Sequence, residues 1–317
     1  MEFQAKSADA EEVVFAEGTD GNLVEAESGR ESLIAVGSAD DESAGDMLAG
    51  EVSGGTTFSN EVSSDEASLG ENTLRVYANT PFEKLEILWE REAVDRLKAA
   101  SVVVIGLGGV GSNCAEALAR GGVGSFVLLD HDVVAPSNIN RQAIAFHSTI
   151  GQKKCQVMEA MIHDINPASS VVALDRFLWA QDAAAFLEEY AVHADYVVDA
   201  IDTVSTKLAL AEAADKMGIR LISSMGGGNK LHPEYFKIAD IYETVNDSLS
   251  RIMRKEGRKR GIRALKVLYS SEPSSKMQTE AGTDRKARSY LGTASYIPPI
   301  MGQMIAGEVL RTIAAGE

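Results

Sequence analysis

Ser101-Val-Val-Val-Ile105-Gly106-Leu-Gly108-Gly-Val-Gly111 is the stretch from which the fold can be read. Residues 101–105 are a short, nearly continuous apolar run, the pattern of a strand buried on both faces of a parallel sheet. A Gly-x-Gly-x-x-Gly turn follows at once, and an Ala-rich helical segment over 112–120 follows the turn. In this strand–turn–helix setting the glycines let the backbone approach a phosphate, whose charge the helix N-terminus favours. A tight turn without a ligand is the competing reading.

Outward from this turn, strand and helix signals alternate. Strands are expected at 125–129, 171–174, 196–198 and 220–223, and helices at 85–99, 152–165, 183–190 and 206–217. Such alternation implies βαβ units in an α/β fold: a doubly wound, Rossmann-like, mostly parallel sheet. Ligands of these sheets bind beyond the carboxyl ends of the strands. Gly106, Asp130, Asp202 and the glycine loop 225–230 all fall at such ends. A C-terminal extension follows Lys230. It comprises an edge strand (235–240), a helix (248–261), a strand (264–269), a mobile stretch (270–288) and an apolar docking helix (298–315). Gln303 and Glu308 interrupt the last of these, which argues for a docking or dimer surface and against a membrane span.

The net charge of −17 is unevenly placed. Residues 1–74 hold eighteen acidic and two basic side chains; the other 243 residues hold 29 and 28. The organisation expected is therefore a disordered acidic tail over 1–78, too polar to offset its ordering entropy, and a folded region over 79–317. The tail lacks the basic start and apolar stretch of a signal peptide, and no run of eighteen apolar residues occurs. Two cysteines, Cys114 and Cys155, are too few for a four-cysteine zinc site, so no zinc is expected.

The glycine turn and Asp130 alone suit a dinucleotide, with Asp130 accepting from ribose hydroxyls. The loop Ser137-Asn138-Ile-Asn140-Arg141-Gln142 and Lys154 add what a triphosphate undergoing nucleotidyl transfer needs, namely cations and donors aimed at charge that develops on phosphate oxygens. Arg141 offers a planar fork, Lys154 a point charge, and Asn138 and Asn140 neutral donors. Taken singly, an ion pair for Arg141 and a solvated helix face for Lys154 are the better readings; together with the glycine fingerprint they are not. Asp202 is placed to bind Mg²⁺ or to cap the following helix; Asp199 is structural. Residues 251–266 carry eight bases and one acid, Glu256. Arg251, Arg254, Lys255, Arg258, Lys259 and Arg260, within a basic segment at 247–288, suit RNA phosphates or a solvated face. A contest between the acidic tail and RNA for this patch is a further expectation.

At these residues the chain resembles the ubiquitin-activating-type adenylating enzymes (ThiF, MoeB, HesA), and within them the tRNA threonylcarbamoyladenosine dehydratase (TcdA) family, over residues 82–314. The shared features include Gly106–Gly111, Asp130, Ser137–Gln142, Gly151-Gln-Lys-Lys154 and Asp199–Asp202. The dehydratase-like ones include Asn246-Asp247-Ser-Leu249, Met253-Arg-Lys-Glu-Gly-Arg-Lys-Arg-Gly-Ile262, Glu272-Pro273 and Tyr296-Ile-Pro-Pro-Ile-Met-Gly302. The resemblance implies a cytoplasmic homodimer that uses ATP and Mg²⁺ to adenylate the carboxylate of N6-threonylcarbamoyladenosine beside a tRNA anticodon. Ring closure by the modification's own ureido group then expels AMP, and positioning is the enzyme's main task. Arg141, Lys154 and Asp202 would be catalytic, with Asp202 on the metal. Gly106, Gly108, Gly111, Asp130, Asn138 and Asn140 would join Arg141 and Lys154 in binding nucleotide. The resemblance also points to a cysteine-desulfurase sulfur-relay partner. The alternative function is adenylation of a ubiquitin-like sulfur carrier. One departure stands out: Pro81-Phe82-Glu83-Lys84 occupies the place of the family's Arg-aromatic-x-Arg element, so that Lys84, or Arg91, would replace an arginine acting across the dimer.

Overall fold

The structure, a computed structural model, describes residues 80–273 and 292–316 and the backbone of two strands in the acidic region, β1 (Val13–Glu17) and β2 (Leu23–Glu27). β1 and β2 pair antiparallel, with Val13 opposite Glu27 and Glu17 opposite Leu23. The sequence reading placed no strand there, although Val13-Val-Phe15 has the β-branched and aromatic composition that strands favour. The remaining residues before Thr80, and with them most of the expected disordered tail, lie outside the described residues. Met1–Glu83 and Lys84–Glu317 are separate units.

The second unit runs through α1 (Glu83–Ala99), β3 (Ser101–Ile105), α2 (Gly109–Arg120), β4 (Ser125–Leu129), α3 (Lys154–Ile165), β5 (Ser170–Leu174), α4 (Ala183–Tyr190), β6 (Tyr196–Asp199), α5 (Val204–Met217), β7 (Leu221–Ser224), β8 (Phe236–Asp240), α6 (Ser248–Arg260), β9 (Lys266–Ser270) and α7 (Ile297–Ala315). Seven strands form one sheet in the order β5-β4-β3-β6-β7-β9-β8. All neighbours are parallel except β8, which lies antiparallel along β9 at the edge. The chain winds outward from β3 through β4 to β5, then returns to the other side of β3 with β6. The loops after β3 and β6 therefore diverge, and a crevice opens between them.

Both faces of the sheet are covered, which explains the unbroken apolar run of β3. Val102 and Val104 point into one core with α2, α3 and α7; Val103 and Ile105 point into the other with α4, α5 and α6. Alternate residues of a strand face opposite sides, so every position of β3 needs an apolar side chain.

α7 differs in one respect from the expected docking surface. Its buried face, including Met301, Ile305 and Val309, packs within this same chain against α2. A Cβ at Gly302 would lie 2.5 Å from the Val110 carbonyl oxygen and 2.8 Å from the Cys114 amide nitrogen, so only glycine allows this approach. Arg96 of α1 donates to the Ala314 carbonyl and ties the end of α7 to α1. α1 itself bends at Glu90, where φ is +65°.

The expected mobile stretch needs one correction. Its first residues are fixed: Ser270 ends β9 and Glu272 is buried, because its carboxylate accepts from the Leu231 and His232 amides. Residues 274–291 lie outside the described residues.

Candidate active site

Glycine geometry builds the floor of the crevice. Gly106 ends β3 with φ at +89°, and a Cβ there would meet the Ala200 backbone at 3.0 Å. At Gly111 a Cβ would lie 1.7 Å from the Gly106 carbonyl oxygen. The first turn of α2 can fold back on the strand end only because neither residue has a side chain. Gly108, beside them, has open space in front of its Cα, which faces the cleft.

Asp130, just past β4, locks this turn. Its Oδ2 accepts from the Leu107 amide at 2.7 Å and its Oδ1 from the Asp132 amide at 2.8 Å. The carboxylate is buried yet lines the cleft, where the sequence reading places a ribose.

The 137–143 loop is fastened to α2. Asn113 Nδ2 donates to the Arg141 carbonyl at 3.0 Å, and Ser112 Oγ accepts from the Ala143 amide at 3.1 Å. Arg141 lines the cleft. One guanidinium nitrogen donates to the Ser137 carbonyl at 2.8 Å and to Asn140 Oδ1 at 2.9 Å; the other N–H groups have no partner among the described residues. Asn138 also lines the cleft, while its Oδ1 accepts from the Ala135 amide and shapes the loop. Asn140 does not line it. Its amide is spent on Arg141 and on the Thr293 carbonyl, so it orients the arginine instead of facing the space itself.

Lys154 is the first residue of α3, and its Nζ donates to Asp132 Oδ2 at 2.8 Å. The lysine side chain is buried and that of Asp132 is half exposed. Burial pushes the Asp132 carboxyl up, but the Lys154 hydrogen bond and charge, with His131 and Lys153, outweigh it and hold Asp132 below the usual carboxylate value. The sequence reading treated Lys154 as a bare point charge and missed this partner. The available signal was the spacing in Asp130-His-Asp132, which puts both carboxylates on one loop. Asp130, His131 and Asp132 bring three possible metal-ligand atoms within 4.8 Å, but both oxygens of Asp130 and one of Asp132 are already engaged.

Asp202 stands on the opposite wall, exposed, with no hydrogen bond or ion pair among the described residues. It does not cap α5: the N-cap is Thr203, and no side chain caps the helix end. Asp199 supports this wall from below. It is fully buried, pairs with the equally buried Lys207 at 2.9 Å, accepts from Ser223 Oγ at 2.6 Å and from the Ile201 amide at 3.3 Å. The structural role expected for Asp199 is met.

The cleft so formed has a volume of about 380 Å³. Arg176, Phe177 and Leu178 form a wall that sequence reasoning did not find, because nothing in residues 175–178 carries a motif. Phe177 meets His131 edge-on at 4.8 Å and Trp179 at 4.5 Å between ring centroids. A second cleft, about 530 Å³, shares Asp202, Gly227, Gly228 and Thr293 with the first and extends to Lys230, Asn246 and Asp247. The two cysteines take no part. Cys114 and Cys155 are both buried, and burial raises both thiols, with the Asp175 charge adding to the rise at Cys155. Neither is a ready nucleophile.

On α6, Arg251 and Lys255 are exposed and make no hydrogen bond or ion pair among the described residues. The other four proposed RNA contacts are engaged. Arg254 donates to the Thr244 carbonyl at 2.8 Å and is half buried. Arg258 lies 4.9 Å over the Tyr242 ring, Lys259 pairs with Glu256 at 2.8 Å and Arg260 with Glu212 at 3.3 Å. Lys84 lies at the start of α1, and Arg91, on its exposed side, is 3.8 Å from Glu86.

The ThiF family model matches residues 83–316. A protein of Bacillus subtilis (strain 168) named tRNA threonylcarbamoyladenosine dehydratase is 40% identical over 241 residues, which span 73% of this chain and 94% of that protein. A crystal structure of the E. coli tRNA N6-threonylcarbamoyladenosine dehydratase, TcdA, in complex with ATP superposes with a TM-score of 0.66 at 29% identity, covering 74% of this chain and 94% of that one. The same enzyme in complex with AMP gives 0.67 at 29%, covering 74% and 95%. The glycine cradle, the fastened arginine loop and the free aspartate thus occur in a chain that belongs to the ThiF family and, within it, to the tRNA threonylcarbamoyladenosine dehydratases.

Proposed function

We infer that this chain is an ATP-dependent tRNA threonylcarbamoyladenosine dehydratase. The observation that carries the reading is the convergence of Gly106–Gly109, Asp130, Arg141, Lys154 and Asp202 on one cleft that is continuous with a second. Nucleotidyl transfer needs two such spaces in line, one for ATP and one for the carboxylate that attacks its α-phosphate.

In this reading the glycine turn and the N-terminus of α2 receive phosphate. Asp130 holds the ribose. Arg141, oriented by Asn140 and Ser137, meets the charge that grows on phosphate oxygens, and the Lys154–Asp132 pair supplies a fixed dipole beside it. Attack by the substrate carboxylate forms an acyl adenylate and releases pyrophosphate. The ureido nitrogen then attacks the activated carbonyl, AMP leaves, and the modification has lost one water. No protein nucleophile enters, in keeping with two buried thiols.

Mg²⁺ suits Asp202, an exposed hard-oxygen donor without a partner among the described residues, which would leave most of the ion's ligands to waters and phosphates. Bound there, the ion offsets triphosphate charge. tRNA phosphates are proposed to meet α6. Arg251, Lys255, Arg258 and Lys259 recur at helical spacing on one face, and exposed pairs such as Lys259–Glu256 cost little to exchange. The exposed apolar side chains Val133, Phe146 and Ile150, on the segment that carries Arg141, support a homodimer. A cytoplasmic location follows from a tRNA substrate, and a sulfur-relay partner rests on resemblance alone.

The test is AMP release from ATP with tRNA that carries the modification and with tRNA that lacks it, alongside mass spectrometry of the nucleoside. AMP released only with modified tRNA, together with loss of one water, supports the reading. AMP release driven by a ubiquitin-like carboxyl terminus instead would overturn it.

A further inference from the structure

Lys230 is only 9% exposed, yet its Nζ has a single neutral partner, the Glu272 carbonyl oxygen at 3.0 Å. The Glu272 carboxylate is turned to the Leu231 and His232 amides, and no carboxylate lies within ion-pair distance of Lys230 among the described residues. An ammonium has three donors, so two have no partner here. Burying such a charge without a counter-ion is costly, and a fold keeps it where an anion arrives to complete it.

Lys230 lines the second cleft, which meets the nucleotide cleft at Asp202 and Gly227. The acid beside it, Asp247, is already committed: it caps α6 by accepting from the Ser250 amide, where the helix N-terminus favours its charge. Asn229 and Asn246 hold the cleft in shape, the first through two bonds to Gly292 and the second through the Ser271 carbonyl. Among the described residues, the cleft therefore offers a cation without a counter-ion, next to the space where ATP is proposed to bind.

We propose that Lys230 binds the carboxylate of the modified nucleoside and holds it beside the α-phosphate of ATP. This deepens the dehydratase reading and rests on it. Two anions must come together for adenylation, and a fixed ammonium between them removes part of their repulsion while setting the angle of attack.

The experiment compares N6-threonylcarbamoyladenosine with its methyl ester as inhibitors of tRNA turnover, for the unaltered full-length chain and for Lys230→Met. The unaltered chain is expected to favour the free acid by on the order of tenfold to a hundredfold, the span of a charge-assisted hydrogen bond. Lys230→Met is expected to lose that preference and to raise the KM for tRNA, with ATP affinity unchanged. A Lys230→Met variant that keeps the preference, or that loses ATP affinity instead, overturns the proposal. Should the variant fail to fold, an unaltered chain that binds acid and ester equally overturns it without any mutation. Turnover of modified tRNA by the unaltered chain is read separately, so the dehydratase reading can survive the loss of this proposal; absence of that turnover overturns both.

Discussion

In the nucleotide cleft, Arg141 is held by Ser137 and Asn140, and Lys154 by Asp132, partners close by in the fold that leave donors facing open space. Along α6 and the residues after it, half of the eight cations between Arg251 and Lys266 pair with surface acids: Lys259 with Glu256, Arg260 with Glu212, Arg263 with Asp215 and Lys266 with Glu308. The first region spends hydrogen bonds to aim charge; the second spends charge to join elements. Arg263 ties the end of α6 to α5 through both oxygens of Asp215, and Lys266 ties β9 to α7. Counting bases therefore overstates how strongly the basic segment attracts a polyanion, and placement decides which of them are available.

The sharpest way to break this contrast is at its buried extreme, the Asp199–Lys207 pair. Lys207→Met leaves a carboxylate buried without its cation and is expected to cost about 3–5 kcal/mol of stability in urea denaturation. Lys259→Met, which removes an exposed pair, is expected to cost less than about 1 kcal/mol. Equal costs would end the distinction between the two kinds of pairing. Next in size, Arg141→Ala is expected to lower AMP formation by ~10²–10³ with the fold intact and nucleotide still bound, as for loss of one preorganised donor. Unchanged turnover would remove Arg141 from the mechanism. Smallest is the effect on α6. Arg251→Ala with Lys255→Ala is expected to weaken tRNA binding and to reduce its salt slope by about two, one per phosphate contact. Arg263→Ala, held through both oxygens of Asp215, is expected to leave that slope unchanged, and a shift there would mean that even this two-pronged pair opens to RNA.

Much of the fold is legible because burial on both faces leaves a strong trace. β3, β4 and β6 read as apolar runs, and glycine marks where β3 must turn. Helix starts were less legible: α2 begins at Gly109 inside the fingerprint, because packing against the sheet and α7 overrides the low helix propensity of glycine. Within the site, the residues named from motifs lie at the cleft, apart from Asn140 and from Gly111, which shapes the turn beneath it. What the sequence hid were partners. Ser112 and Asn113 on the arginine loop and the Phe177 wall meet the site through tertiary contact between distant segments, which no local pattern encodes, whereas Asp132 on Lys154 left a trace in the spacing of Asp130-His-Asp132. Lys230 was visible as a residue, but its lack of a counter-ion among the described residues was not.

The glycine at 302 has a consequence for how the molecule is made. Helix α2 is synthesised early, but the surface that covers it comes from the opposite end of the sequence. A ribosome releasing this chain therefore exposes the apolar side of the nucleotide-binding half until α7 emerges. Until α7 packs, the glycine turn is held by Asp130, and α2 lacks the apolar cover that Met301, Ile305 and Val309 supply.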